Sequence, residues 1–153
     1  MPADISNGLI SQATLKDLER ISEIYIFNYR LNFYPIFKND DYYFEELTVS
    51  QCMKTFEKSL LELYVYDDGV VKGFIQVKEK QVKKLFVEPI LQSQGIGSKL
   101  LQCFDVDYMW VLEANERAIA FYKKHGFDLT NIKLPEADDK YLVLMKKGCN
   151  VEF

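Results

Sequence analysis

The stretch of this chain best suited to chemistry is Gln92-Ser93-Gln94-Gly95-Ile96-Gly97, a polar loop that leads into the helix-patterned run Ser98–Phe104. A glycine-bearing turn at a helix start leaves several backbone N–H groups without intrahelical partners. With the positive end of the helix dipole, those donors form a site for an anion. Glycine at 95 and 97 lets a phosphate oxygen approach the backbone with no Cβ in the way. The same two glycines also suit a plain turn, and spacing alone leaves both readings open. Two nucleotide motifs are excluded. A P-loop needs Gly-Lys-Ser/Thr, whereas the order here is Gly97-Ser98-Lys99. The dinucleotide fingerprint needs a third glycine, and position 100 is Leu.

Other reactive side chains are scattered. Lys78, Lys80, Lys83 and Lys84 surround one short turn, which reads either as a solvated hairpin or as electrostatic help for a phosphate-bearing ligand. Cys52, Cys103 and Cys149 are an odd number at wide spacing and form neither a disulfide framework nor a zinc site. No metal is expected. Cys52 and Cys103 fall in apolar helical patterns, as packing residues do. His125, the sole histidine, falls at a helix end beside the dipole's negative pole and is not read as a base.

These groups sit in an ordinary globular chain of 153 residues, 48% hydrophobic and 27% charged, long enough for one domain with a core. A net charge of -4 gives no general attraction to nucleic acid or anionic lipid. Neither a secretion signal nor a bilayer-length apolar run is visible. With no disulfide framework, the expectation is a cytoplasmic protein.

The elements that must position the loop follow from periodicity. Met1–Asn7 reads as a loose start and Gly8–Ala13 as a short strand. Thr14-Leu15-Lys16-Asp17 resembles a capping box, and Leu15, Leu18, Ile21, Ile24 and Tyr25 recur at helical spacing to about Arg30. Leu31–Leu47 is aromatic and irregular, broken by Pro35 and Asn39-Asp40-Asp41. Thr48 starts a second helix with Cys52, Met53 and Phe56 on one face. The period then changes to two: Leu61, Leu63 and Val65 alternate with Glu62, Tyr64 and Tyr66. Asp67-Asp68-Gly69 is a hairpin turn to Val71–Lys78, and Val82–Val87 is a third antiparallel strand. After the loop and its helix come a strand at Tyr108–Leu112 and a helix capped by Asn115 with Gly126 in the C′ place. Phe127–Leu134 and Tyr141–Met145 close the order as strands. The prediction is a mixed α/β (α+β) layer fold with a mostly antiparallel sheet of about seven strands and about four helices.

At this point the chain resembles the GCN5-related N-acetyltransferase (GNAT) family. Leu85-Phe86-Val87-Glu88-Pro89 followed by Gln92-Ser93-Gln94-Gly95-Ile96-Gly97 looks like the family's Gln/Arg-x-x-Gly-x-Gly/Ala signature after a strand. Asn115-Glu116-Arg117-Ala118-Ile119-Ala120-Phe121-Tyr122, ending in Gly126-Phe127, resembles its Asn-x-x-Ala-x-x-Phe-Tyr helix. The resemblance is strong over Val71–Phe127 and weaker outside it.

The resemblance implies a single N-acetyltransferase domain over residues 1–153, with acetyl-CoA as acyl-donor co-substrate. Backbone groups of Leu85, Phe86 and Val87 would pair with the pantetheine arm, and the N–H of Phe86 or Val87 would polarise the thioester carbonyl. Amides of Gln92, Gln94, Gly95, Ile96, Gly97 and Ser98 would hold the pyrophosphate. Asn115 would bind pantetheine near the thiol, unless it is only a helix cap. Tyr122 would protonate the departing thiolate, unless it is only a core tyrosine. Some members place a glutamate base on the strand before the signature. The matching position here is Gln81, which cannot take that role. Glu113, close to Asn115, is the candidate base, with a water relay or an already neutral amine as alternatives. The segment Phe104–Tyr108 is shorter than the family's usual connection. The aromatic stretch occupies the family's acceptor region, so Tyr34, Tyr42 and Tyr43 are candidate acceptor contacts, or loop anchors in the core.

Three functions are weighed: direct acetyl transfer to a primary amine of a small molecule or peptide, a non-catalytic acyl-CoA sensor on the same fold, and an interaction domain using Phe33–Phe44. A homodimer stays open. The acceptor is not legible.

Overall fold

The computed structural model describes residues 8–137 and 139–148. The readings of Met1–Asn7 and Cys149 lie outside the described residues.

Among the described residues seven strands form one sheet: β1 (Ile10–Gln12), β2 (Leu63–Asp67), β3 (Val71–Lys78), β4 (Gln81–Val87), β5 (Tyr108–Leu112), β6 (Phe127–Ala137) and β7 (Lys140–Lys147), in the order β1-β2-β3-β4-β5-β7-β6. Every pair is antiparallel except β4–β5. The α-helices are α1 (Leu18–Asn32), α2 (Tyr34–Phe37), α3 (Val49–Glu57), α4 (Ile96–Gln102) and α5 (Glu116–Lys124). Fold class and element order follow the sequence expectation. Short α2 adds a helix to the expected four. The aromatic stretch also winds a π-helical turn at Asp41–Glu46.

Local chemistry explains the boundaries. Thr14 N–H donates to Asp17 Oδ2 at 2.9 Å, so the capping acid acts as its position suggests. It opens a 3₁₀ turn at Leu15–Asp17 rather than α1 itself. At α3, Gln51 N–H donates to Thr48 Oγ1 at 3.3 Å. Gly69 at φ +122° closes the β2–β3 hairpin, and its N–H donates to Asp67 Oδ1 at 2.9 Å. The alternation predicted from Leu61 begins later: Leu61 is 81% exposed in a 3₁₀ turn, and the buried positions are Leu63 and Val65.

The sheet is covered on both faces, which explains why Tyr66, expected on the polar side, is also buried. One face packs Leu63, Val65 and Phe74 against Leu18, Ile21 and Ile24 of α1 and Phe56 of α3. The other packs Tyr66, Ile75 and Met109 against Leu100 of α4 and Tyr122 of α5. Each fully buried aliphatic or aromatic side chain contributes about 1.5–3 kcal/mol. Gly73 on β3 permits the close seat of α4: a Cβ there would lie 3.1 Å from the Phe86 carbonyl oxygen, 3.2 Å from Ile96 Cγ2 and 3.3 Å from Leu100 Cδ1.

The parallel ladder of β4 and β5 holds only Gln81↔Tyr108 and Val82↔Met109. Beyond Val82 the strands separate, and Lys83–Val87 runs on without a β5 partner. β5 instead pairs with β7 over its full length, from Tyr108↔Lys146 to Leu112↔Leu142. The sheet therefore opens in its middle, next to the signature loop.

Candidate active site

Two cavities meet at this opening. The first, about 490 Å³, is bounded by Leu85–Val87 of β4, by Gln92, Ser93 and Gly95 of the loop, by Ile96–Ser98 of α4, by Asn115, Arg117, Ala118, Phe121, Tyr122 and Lys124 on the α5 side, and by Asn28 and Asn32 of α1. The second, about 400 Å³, lies among Tyr29, Phe33, Phe37, Tyr42, Tyr43, Lys84, Trp110 and Glu136. Leu85, Phe86, Asn115, Ala118 and Tyr122 border both.

The first cavity suits an elongated anion. Among the described residues its charged lining consists of Arg117 and Lys124, with no carboxylate, in a chain of net negative charge. Gly95 sits at φ +86° and Ser93 at φ +70°, which turns the loop sharply before α4. The first intrahelical donor is Lys99 N–H, bonded to the Gly95 carbonyl at 3.0 Å. The amides of Ile96, Gly97 and Ser98 thus precede the helix ladder beside the cavity. Leu85, Phe86, Val87, Gln92, Gly95, Ile96, Gly97, Ser98 and Asn115 all border the cavity as the motifs suggest, whereas exposed Gln94 is not among its lining residues.

Asn115 caps α5, its Oδ1 accepting from Ala118 N–H at 3.2 Å, and still borders both cavities. Cap and lining residue are one arrangement here, not alternatives. Tyr122, about two turns further on, is buried against Phe127 and Phe121. Burial pushes its phenol well above the ordinary tyrosine value. The group therefore keeps its proton at neutral pH and can donate it at the junction.

Other expected residues are placed differently. Glu113 pairs with Lys133 at 2.6 Å, with its side chain 46% exposed, and lines neither cavity. Tyr42 and Tyr43 line the second cavity, their phenols raised chiefly by burial, that of Tyr43 to about 12. Tyr34 lies outside both, its hydroxyl donating to Asp40 Oδ1 at 2.5 Å and its ring against Tyr43 and Phe44. The lysines around the β3–β4 turn do not act as one patch. Lys80 pairs with Asp105 at 2.6 Å and Lys83 with Glu62 at 3.6 Å. Lys84 turns inward over the rings of Tyr25 and Phe56, and burial lowers its pKa. Cys52 and Cys103 are buried and line neither cavity.

The sequence reading missed α1 as a wall of the site. Asn28 and Asn32 border the first cavity; Tyr29 and Phe33, on the same helix, border the second. A signal was present: Asn28 falls four residues after Ile24, where the helical spacing calls for an apolar side chain.

Comparison with known proteins agrees with the fold and the motifs. The sequence model of the acetyltransferase (GNAT) domain matches residues 59–129, which include both the signature loop and the α5 block. N-alpha-acetyltransferase 50 of Danio rerio is 26% identical over 149 residues, covering 87% of this chain and 80% of the relative. The PaiA N-acetyltransferase of Thermoplasma acidophilum, solved in complex with coenzyme A, shares the fold at a TM-score of 0.65 and 18% identity, over 91% of this chain and 98% of its own. The yncA protein of Salmonella typhimurium, solved with its cofactor acetyl-CoA, does so at a TM-score of 0.60 and 19% identity, over 90% and 91%. In its motifs, its strand order and these matches, the chain is similar to the GCN5-related N-acetyltransferase (GNAT) family.

Proposed function

We propose that residues 1–153 form one N-acetyltransferase domain that moves an acetyl group from acetyl-CoA to a primary amine by direct attack. One observation carries this reading. The family match falls on a loop beside a cation-lined cavity, and that cavity joins a second, aromatic one at Tyr122 and Asn115. Two substrates entering from opposite sides would meet there.

The first cavity fits the acyl donor. The amides of Gly95–Ser98 would take its diphosphate, aided by Arg117 and Lys124, while Leu85–Val87 and Asn115 would hold the pantetheine arm. The second cavity would take the acceptor, with Tyr42 and Tyr43 in its wall. A neutral amine nitrogen attacks the thioester carbonyl carbon, the C–S bond breaks, and the amine loses a proton. Tyr122 gives its own proton to the leaving sulfur. Preorganised N–H donors at a carbonyl oxygen contribute about 10²–10³ in rate, and a positioned acid about 10²–10⁴. Gln81 cannot serve as base and Glu113 is engaged by Lys133, so deprotonation passes through water or precedes binding.

The acceptor class is a small-molecule or peptide amine. The name of the curated relative makes a peptide N-terminus the first one to try. Calorimetric titration with acetyl-CoA, followed by thiol release against amines and short peptides, tests the proposal. No heat of binding at millimolar acetyl-CoA ends it. Tight binding without thiol release for any amine leaves only an acyl-CoA sensor.

A further inference from the structure

Asn28 is 1% exposed, and its side-chain amide is nonetheless fully engaged. Its Nδ2 donates to the Ile24 carbonyl at 2.8 Å and to the Val87 carbonyl at 2.9 Å. Its Oδ1 accepts from Gln92 Nε2 at 2.9 Å. One buried side chain therefore fastens three pieces of backbone: the middle of α1, the last residue of β4, and, through Gln92, the first residue of the signature loop. Gln92 Nε2 also lies 3.5 Å from the same Val87 carbonyl, so the three groups close into one small network. All of it borders the first cavity.

A polar group this buried is costly unless it is matched, and each bond here is one that an apolar residue could not replace. Helix packing alone would be served by a leucine at this position. Val87 and Gln92 both border the cavity, and these bonds tie their polar groups to α1.

We infer that Asn28 is a positioning residue for the acyl-donor site: it sets the angle at which the signature loop leaves β4, and so where the loop amides point. This rests on the proposed acetyl-CoA reading. It also makes α1 a shared wall, since Tyr29 on the next position borders the acceptor cavity.

The test is a double-substitution cycle read by acetyl-CoA calorimetry, with Ile24→Val as a control for lost packing on the same helix. Asn28→Ala and Gln92→Ala are each expected to weaken binding about tenfold, and the double variant no further, because both remove the same network. Hydrogen exchange on the protein without ligand is expected to quicken at residues 93–98 in both single variants and not in Ile24→Val. Should Asn28→Ala fail to fold, Gln92→Ala carries the test, since its loop-side group is half-buried. Wild-type affinity in Gln92→Ala with unchanged exchange overturns the inference, as do fully additive losses. If the wild-type protein itself binds no acetyl-CoA, the functional reading falls first, and this role of Asn28 falls with it.

Discussion

Ser98 Oγ lies 2.8 Å from His125 Nε2, so the first turn of α4 is bonded to the residue that ends α5. The ring also packs on Phe121 at 4.7 Å between centroids. The two helices that flank the donor cavity are thus joined by a titratable contact.

Burial, and then the charge of Lys124, hold the His125 imidazole below its ordinary value. Between that depressed value and the unfolded one of about 6.5, the unfolded chain binds more protons than the folded one. The stability carried by the neutral ring is complete above this interval and is lost as pH falls through it. Thermal melts from about pH 7.5 to about pH 5 should show a steeper decline in Tm for wild type than for His125→Gln. Parallel declines would remove His125 from the explanation.

Tyr122→Phe keeps the ring in its apolar seat and deletes only the hydroxyl. Turnover is expected to fall by about 10²-fold or more, with acetyl-CoA affinity within about twofold of wild type. Because burial keeps the phenol protonated, the wild-type rate should show no inflection from Tyr122 between about pH 6 and pH 9. Full activity in the variant would assign proton delivery to another group.

Tyr42→Ala separates the two cavities. Tyr42 borders only the second, so the variant should raise the acceptor KM several-fold and leave acetyl-CoA binding untouched. Glu113→Gln, by contrast, removes a half-exposed partner of Lys133, and surface changes of this kind are usually worth within about 0.5 kcal/mol. Its turnover should stay within about twofold of wild type. A collapse in rate would restore Glu113 as base.

Gly73→Ala tests how tightly α4 is seated. The new methyl would press on a backbone carbonyl and on Ile96 and Leu100 at once, within 3.1–3.3 Å. Overpacking costs typically about 1–3 kcal/mol, and the yielding element would be α4 with its loop. Lower Tm together with weaker acetyl-CoA binding is expected; a stability loss alone would mean that β3 or β4 moves instead.

The fold was readable because its signals are local. The period change read from Leu61, the Asp67-Asp68-Gly69 turn and the Asn115 cap each specify an element to within a few residues, and the element order then leaves few arrangements. The donor side was readable for the same reason, since one loop and one helix carry most of it. The acceptor side was not. Tyr42 and Tyr43 line it while Tyr34, in the same aromatic stretch, is bonded to Asp40 instead. That sorting depends on a four-residue helix and a π-helical turn, which no periodicity announces. Lys84 and Lys80 look alike in sequence, yet Lys84, on β4, lies over Tyr25 and Phe56 while Lys80, in the turn before β4, pairs with Asp105. Asn28 was hidden by the opposite effect: a lone polar residue in an apolar pattern looks like noise until the strand it grips is in place.

The two rungs joining β4 to β5 have a mechanical consequence. They are the narrowest seam in the sheet, with four strands on one side and three on the other. Flexing of one block against the other concentrates there, as it does at the spine of a book. Any molecule lodged across the gap grips both covers, so its arrival should stiffen the protein far from where it touches.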